Sequence, residues 1–225
     1  RTVGNHAKVV VIDDKIAYVG TGNWNNNGLR NNHEMFVKSY NPNIINRANK
    51  FITNLWVYGG GTTFNDDNYD NIFVTNGYLE SMLNSIRNAR DSINIIMFVI
   101  AGGSSTERVG DLLRALVDAK NRGVDVKVLV DYDWDSNNNG IPDNRAAVEY
   151  LKSNGIEVKS DEGEPPRTHV KMIIIDSETV YIGSHNWDYT GLGSPVEASV
   201  KIKSPWIVND SVEYFNWKWT RGRAL

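Results

Sequence analysis

The sequence predicts an α/β protein made of two related halves, the first of them incomplete. Three observations carry this reading. A segment is repeated: "HAKVVVIDDKIAYVGTGNWNNNGL" begins at His6 and "HVKMIIIDSETVYIGSHNWDYTGL" at His169. Between residues 71 and 160, short apolar runs alternate with amphipathic stretches, as strands alternating with helices do. That alternation precedes the second copy only, because five residues stand before His6.

The elements follow in order. In the first copy, apolar residues occupy both faces of the run after His6, which marks an interior strand. A tight strand pair then ends in "GTGN", where glycine permits a close backbone turn. Pro42 behind Asn41 marks a helix start. Residues 59–70, rich in glycine and polar side chains without periodicity, read as a linker. In the second half, "NIFV" is a short strand, and Tyr78, Leu79, Met82, Leu83 and Ile86 mark a helix. "INIIMFVI" is a buried strand, and Val109, Leu112, Leu113, Leu116 and Val117 mark a helix closed by Gly123. The strand "VDVKVLVD", the helix "NRAAVEYLKSNG" and the strand "IEVKS" complete a prelude expected to form a largely parallel sheet under helices. The second copy follows, ending in a helix from Pro205 behind Ser204. The domains expected are therefore 1–58, the back of a first domain, and 71–225, a complete second one.

The two copies align without a gap at a constant offset of 163 residues, from 6 to 169. Lys8, Asp13, Asn23, Trp24 and Glu34 fall on Lys171, Asp176, Asn186, Trp187 and Glu197. By that comparison the first half lacks a prelude of about 90 residues. The expectation is that the chain is a fragment of a longer or nicked protein with the missing N-terminal segment held noncovalently, which is favoured, or that another subunit fills the gap.

Composition excludes several classes. The chain is 225 residues long with a net charge of −3, which gives no global attraction to nucleic acid or anionic membrane. The longest apolar run, Ile95 to Ala101, is too short to span a membrane. There is no cysteine, so disulfides and thiolate metal sites are out.

The repeated polar residues carry chemistry. Side chains alternate faces along a strand, so His6 and Lys8 share a face, as do His169 and Lys171, whereas Asp13 and Asp176 turn away. The turn that follows can deliver Asn23 or Asn186 beside them. Lysine, imidazole and amide converging on one spot suit a tetrahedral anion. One histidine can attack phosphorus covalently while the other protonates the leaving oxygen and later activates water. Glu34 and Glu197 are suited to hold a ring nitrogen and fix the tautomer. Two lysines supply the positive charge, so no cofactor is expected for catalysis. Trp24 and Trp187 fit either the core or the cleft wall.

"H-x-K-x4-D" followed by "G-[ST]-x-N", present twice, resembles the phospholipase D superfamily, whose members carry the HKD motif. The resemblance implies two α/β sandwich domains related by a pseudo-twofold axis, with both motifs in one active site. It also implies that His6 is the nucleophile, that His169 is the general acid and base, and that Asp13 and Asp176 are structural. The expected activity is phosphodiester hydrolysis through a covalent phosphohistidine. A phospholipid substrate, open to transphosphatidylation, is favoured because no Lys/Arg cluster flanks either motif; a nuclease and a noncatalytic binding module are the alternatives.

A second pattern, "DSNNNGIPD", sets side-chain oxygens at Asp135, Asn137, Asn139 and Asp143 around Gly140, with Ile141 at a further ligand position of a calcium-type loop. Its closing position is Ala146, so weak binding suited to a calcium-rich exterior is expected, against a plain Asn-rich turn. This leans the compartment toward the extracellular side.

Overall fold

The structure is a computed structural model that describes residues 4–58, 72–74, 77–103, 105–163, 166–193 and 196–225. The expected linker at 59–70 lies outside the described residues. The first half supplies β1 (Val9–Ile12), β2 (Ile16–Gly20), β3 (Phe36–Ser39) and α1 (Pro42–Tyr58). The second supplies β4 (Ile72–Val74), α2 (Tyr78–Asn88), β5 (Ser92–Met97), α3 (Val109–Asn121), β6 (Asp125–Val130), α4 (Arg145–Ser153) and β7 (Glu157–Ser160). It continues through β8 (Lys171–Ile175), β9 (Thr179–Gly183), β10 (Ser199–Ile202), α5 (Pro205–Arg221) and β11 (Arg223–Ala224). The α/β reading holds.

The strands form a three-stranded sheet, β1-β2-β3, and an eight-stranded sheet in the order β11-β7-β6-β5-β8-β9-β10-β4. The large sheet is mixed rather than largely parallel. Only the neighbours β5–β6 and β6–β7 run parallel, each pair joined by a crossover helix, α3 and α4. β8 enters antiparallel to β5 and is tied to β9 by a tight hairpin. Both hairpins, at Asp13–Asp14 and Asp176–Ser177, hold their two central residues in the left-handed region, which matches the twist of the strands they join.

Alternation along the central strands explains their all-apolar runs. Ile93, Ile95, Ile173 and Ile175 point into a core under α2, α3 and α4. Ile96, Met172 and Ile174 point the other way, into a second core with Phe215 of α5 and with Ala17, Val19 and Phe51 of the first half. The two halves thus share a core. Asn41 caps α1 through its side chain, which accepts the Asn43 amide at 2.9 Å, whereas Ser204 makes no such bond at the start of α5.

The halves differ at the outer edge of the motif strand. β8 has β5 on its outer edge, and the Asp176 carboxylate accepts the amides of Arg90, Asp91 and Ser92 at 3.1, 2.8 and 3.0 Å. β1 pairs only with β2 among the described residues, and Asp13 is exposed. Ile96 and Leu129, from β5 and β6, fill the core beside β8. Beside β1 an apolar cavity of about 430 Å³ opens instead, lined by Ala7, Val9, Phe51, Ile52, Leu55 and Trp56. The repeated tryptophans divide in the same way. Trp187 is fully buried and donates to the Tyr78 hydroxyl at 3.2 Å, while Trp24 is 68% exposed.

Candidate active site

The backbone brings the two motifs together. The His6 amide donates to the Val196 carbonyl at 3.2 Å, and the His169 amide donates to the His33 carbonyl at 3.0 Å. Each motif strand is therefore stitched to the residue just before the other copy's glutamate. As a result, His6 Nδ1 lies 2.8 and 3.0 Å from the carboxylate oxygens of Glu197, and His169 Nδ1 lies 2.9 and 3.0 Å from those of Glu34. The expectation that a carboxylate holds each ring holds, and the pairing is crossed. A carboxylate on Nδ1 fixes the proton there and leaves Nε2 as the reactive nitrogen.

Each carboxylate is itself held. Thr21 donates to Glu34 at 2.7 Å, and Ser184 donates to Glu197. These hydroxyls carry no assigned role in the sequence reading, although they stand at matching offsets in the repeat. Glu197 is buried, which alone would raise its pKa; the hydrogen bond from His6, with His185 and Ser184, outweighs burial and lowers it. It stays a carboxylate.

Lys8 and Lys171 are both buried, and each Nζ donates to the carbonyl of its own histidine two residues back, at 2.7 Å for Lys171. Burial pulls Lys8 down to about 8 against the attraction of Glu197 and Glu34. Burial also pulls Lys171 well below its ordinary value. His169 is drawn down to about 4, first by burial and then by the two lysines, with Glu34 opposing. Desolvated cations of this kind regain their charge when an anion takes the place of water.

Asn23 lines the cleft beside both His6 and His169, and Asn186 directs a buried Oδ1 that has no hydrogen-bond partner among the described residues. Asp13 and Asp176 stand on the hairpin turns beyond the far ends of the motif strands. Sequence reasoning missed Phe98, whose ring lies 4.5 Å from that of His169 and 4.8 Å from Lys171 Nζ. It also missed Arg30, Trp134 and Arg167 at the cleft mouth, because they are scattered in the chain and only folding collects them.

The loop of Asp135, Asn137, Asn139, Ile141 and Asp143 lies apart from this centre. Its side-chain oxygens accept amides of the loop itself: Asp135 from Gly140 at 2.7 Å, Asn139 from Ile141 at 2.8 Å and Asp143 from Ser136 at 3.3 Å. Among the described residues no group of three His, Cys, Asp or Glu side chains is placed to hold a metal.

A comparison with protein families matches residues 2–56 and 82–219 to the family described as cardiolipin synthase, phospholipase D-like domain. The chain belongs to the phospholipase D superfamily. It is 29% identical over 153 residues to phospholipase D Y of Dictyostelium discoideum, an alignment covering 62% of this chain and 34% of that protein. It is 26% identical over 162 residues to cardiolipin synthase A of Proteus mirabilis, covering 64% and 32%. The chain thus spans about a third of the length of these curated relatives. Among solved structures, Nuc of Salmonella typhimurium, a phospholipase D family member, shares 29% identity with a TM-score of 0.51, over 64% of this chain and 88% of that one. Phosphatidylserine synthase of Haemophilus influenzae shares the fold alone: TM-score 0.67 at 11% identity, over 98% of this chain and 63% of that one. The matched residues take in both His-x-Lys copies, so the phospholipase D superfamily pattern and the crossed pairs describe one centre.

Proposed function

We propose that the protein cleaves phosphodiesters through a covalent phosphohistidine on His6. The observation that supports this most is the crossed pairing of two histidines with two carboxylates over two buried lysines. His6 Nε2 forms a bond to phosphorus as the bond to the leaving oxygen breaks, and His169 gives its proton to that oxygen. His169 then takes a proton from water, whose oxygen attacks phosphorus and releases His6. Lys8, Lys171, Asn23 and Asn186 stabilise the charge on the nonbridging oxygens. His169, whose affinity for a proton is lowered by burial, gains its proton beside the bound phosphate anion, which offsets the two lysines.

The test is turnover of bis-p-nitrophenyl phosphate with trapping of acid-labile phosphate on protein. His6→Ala should abolish trapped phosphate, and His169→Asn should retain it. Label retained on the His6 variant reverses the roles, and no turnover by any form supports a binding module instead. The open edge of β1, beside the cavity at α1, supports a further proposal. In the working protein that edge is covered by a strand-and-helix unit like residues 71–160, from the same polypeptide or from another subunit. A native particle of 25.3 kDa that is stable and active alone refutes it. The Asp135–Asp143 loop is proposed as a weak calcium site on its sequence pattern, and a helix long and apolar enough to cross a membrane is absent among the described residues.

A further inference from the structure

The crossed centre is flanked unequally. The turn after the first motif overhangs the His169 side of the cleft with Asn25, Asn27, Arg30 and Asn32. At the same offset the second turn has Asp188, Thr190 and Gly193 in place of Asn25, Asn27 and Arg30. The row of amides therefore stands on the first side, and at the second turn the Arg108 guanidinium lies against Gly193, 5.5 Å from the Tyr189 ring centre. Across from them, Trp134 and Arg167 form the opposite wall of a cavity of about 860 Å³. Arg167 is fixed: its guanidinium lies 4.3 Å from the Trp134 ring centre and its Nε lies 3.3 Å from Asp131. Arg30 is exposed and paired with no carboxylate among the described residues.

With His6 as the attacking group, the leaving oxygen departs toward His169, so this cavity holds the leaving alcohol. Its walls offer the asparagine amides, two aromatic rings, Phe98 and Trp134, and an available cation, Arg30, and polar lining exceeds apolar. We propose that it is a leaving-group subsite for the next nucleotide of a single-stranded nucleic acid. The base or sugar packs on Trp134, the Asn25 and Asn27 amides meet polar edges, and Arg30 meets the following phosphate. A base that packs on a protein ring has left its own stack, which is why a single strand fits and a duplex does not. This rests on the phosphodiesterase reading.

The experiment compares three substrates: bis-p-nitrophenyl phosphate, single-stranded oligothymidylate and phosphatidylglycerol in mixed micelles. The wild-type protein should cleave oligothymidylate. Arg30→Ala and Trp134→Ala should each lower the ratio of kcat/KM for oligothymidylate to that for bis-p-nitrophenyl phosphate by about tenfold. Trp134→Phe should restore most of the loss, and added salt should weaken wild-type binding more than that of Arg30→Ala. A ratio unchanged in both alanine variants overturns the subsite. Turnover of bis-p-nitrophenyl phosphate without cleavage of oligothymidylate, whether or not phosphatidylglycerol is cleaved, overturns its occupant. Failure on bis-p-nitrophenyl phosphate itself strikes the phosphodiesterase reading instead.

Discussion

Replacing Glu197 by glutamine keeps the shape of the side chain and removes its charge. The carboxylate is 2% exposed and contacts His6 Nδ1 at 2.8 and 3.0 Å, so solvent cannot substitute for it. A hydrogen bond to a charged group contributes about 1.5–3 kcal/mol, and at about 1.4 kcal/mol per factor of ten the attack of His6 should slow roughly 10- to 150-fold. Rapid-quench measurement of phosphoenzyme formation from bis-p-nitrophenyl phosphate isolates that step. Glu34→Gln should give a different pattern, because Glu34 holds His169. With a leaving group that needs little acid assistance, formation should stay fast while hydrolysis slows, so phosphoenzyme accumulates. If Glu197→Gln slows formation by less than about threefold, or both variants give one pattern, the crossed pairs do not divide the labour as argued.

Other outcomes follow from the same geometry. Lys8, depressed to about 8 by burial, is charged below that pH and neutral above it, so kcat/KM should fall as pH rises through about 8. Lys8→Arg should move that limb upward, and an unmoved limb assigns it to another group. Trp187→Ala empties a fully buried site and should cost about 3–5 kcal/mol in calorimetric unfolding, against about 0.5 kcal/mol or less for the exposed Trp24→Ala; equal losses contradict the description of the two halves. Calcium at about 10 mM should raise the melting temperature by a few degrees, and Asp135→Ala should remove the rise; an unchanged melting temperature sinks the calcium proposal.

Much of this was legible in the sequence because the repeat is a second measurement of the same local physics. A constant offset locates His, Lys, Asn and Glu in both copies, and Lys171–Ile175 is the interior strand its apolar run announces. Val9–Ile12, expected to be interior too, is an edge strand among the described residues and only partly buried. What period two and spacing cannot supply is partnership across the chain. Nothing local to His6 says that its carboxylate lies 191 residues away rather than at Glu34. The mixed sheet escaped for a similar reason, since the direction in which β8 meets β5 depends on where the chain re-enters after β7. Trp24 and Trp187 are one residue type at one offset, and only the presence of Tyr78 and its helix beside Trp187 separates them.

The crossed pairs also bear on how a duplicated chain can diverge. If each copy oriented its own histidine, one copy could decay while the other kept a working half-site. Here a change at Glu34 disables the histidine of the later copy, and a change at Glu197 that of the earlier one, so neither copy is spare. The flanking turns share no such dependence, and there the copies have drifted apart: Asn25, Asn27 and Arg30 against Asp188, Thr190 and Gly193. Mutual dependence at the centre holds the chemistry in common, and independence at the rim leaves each side free to acquire a taste of its own.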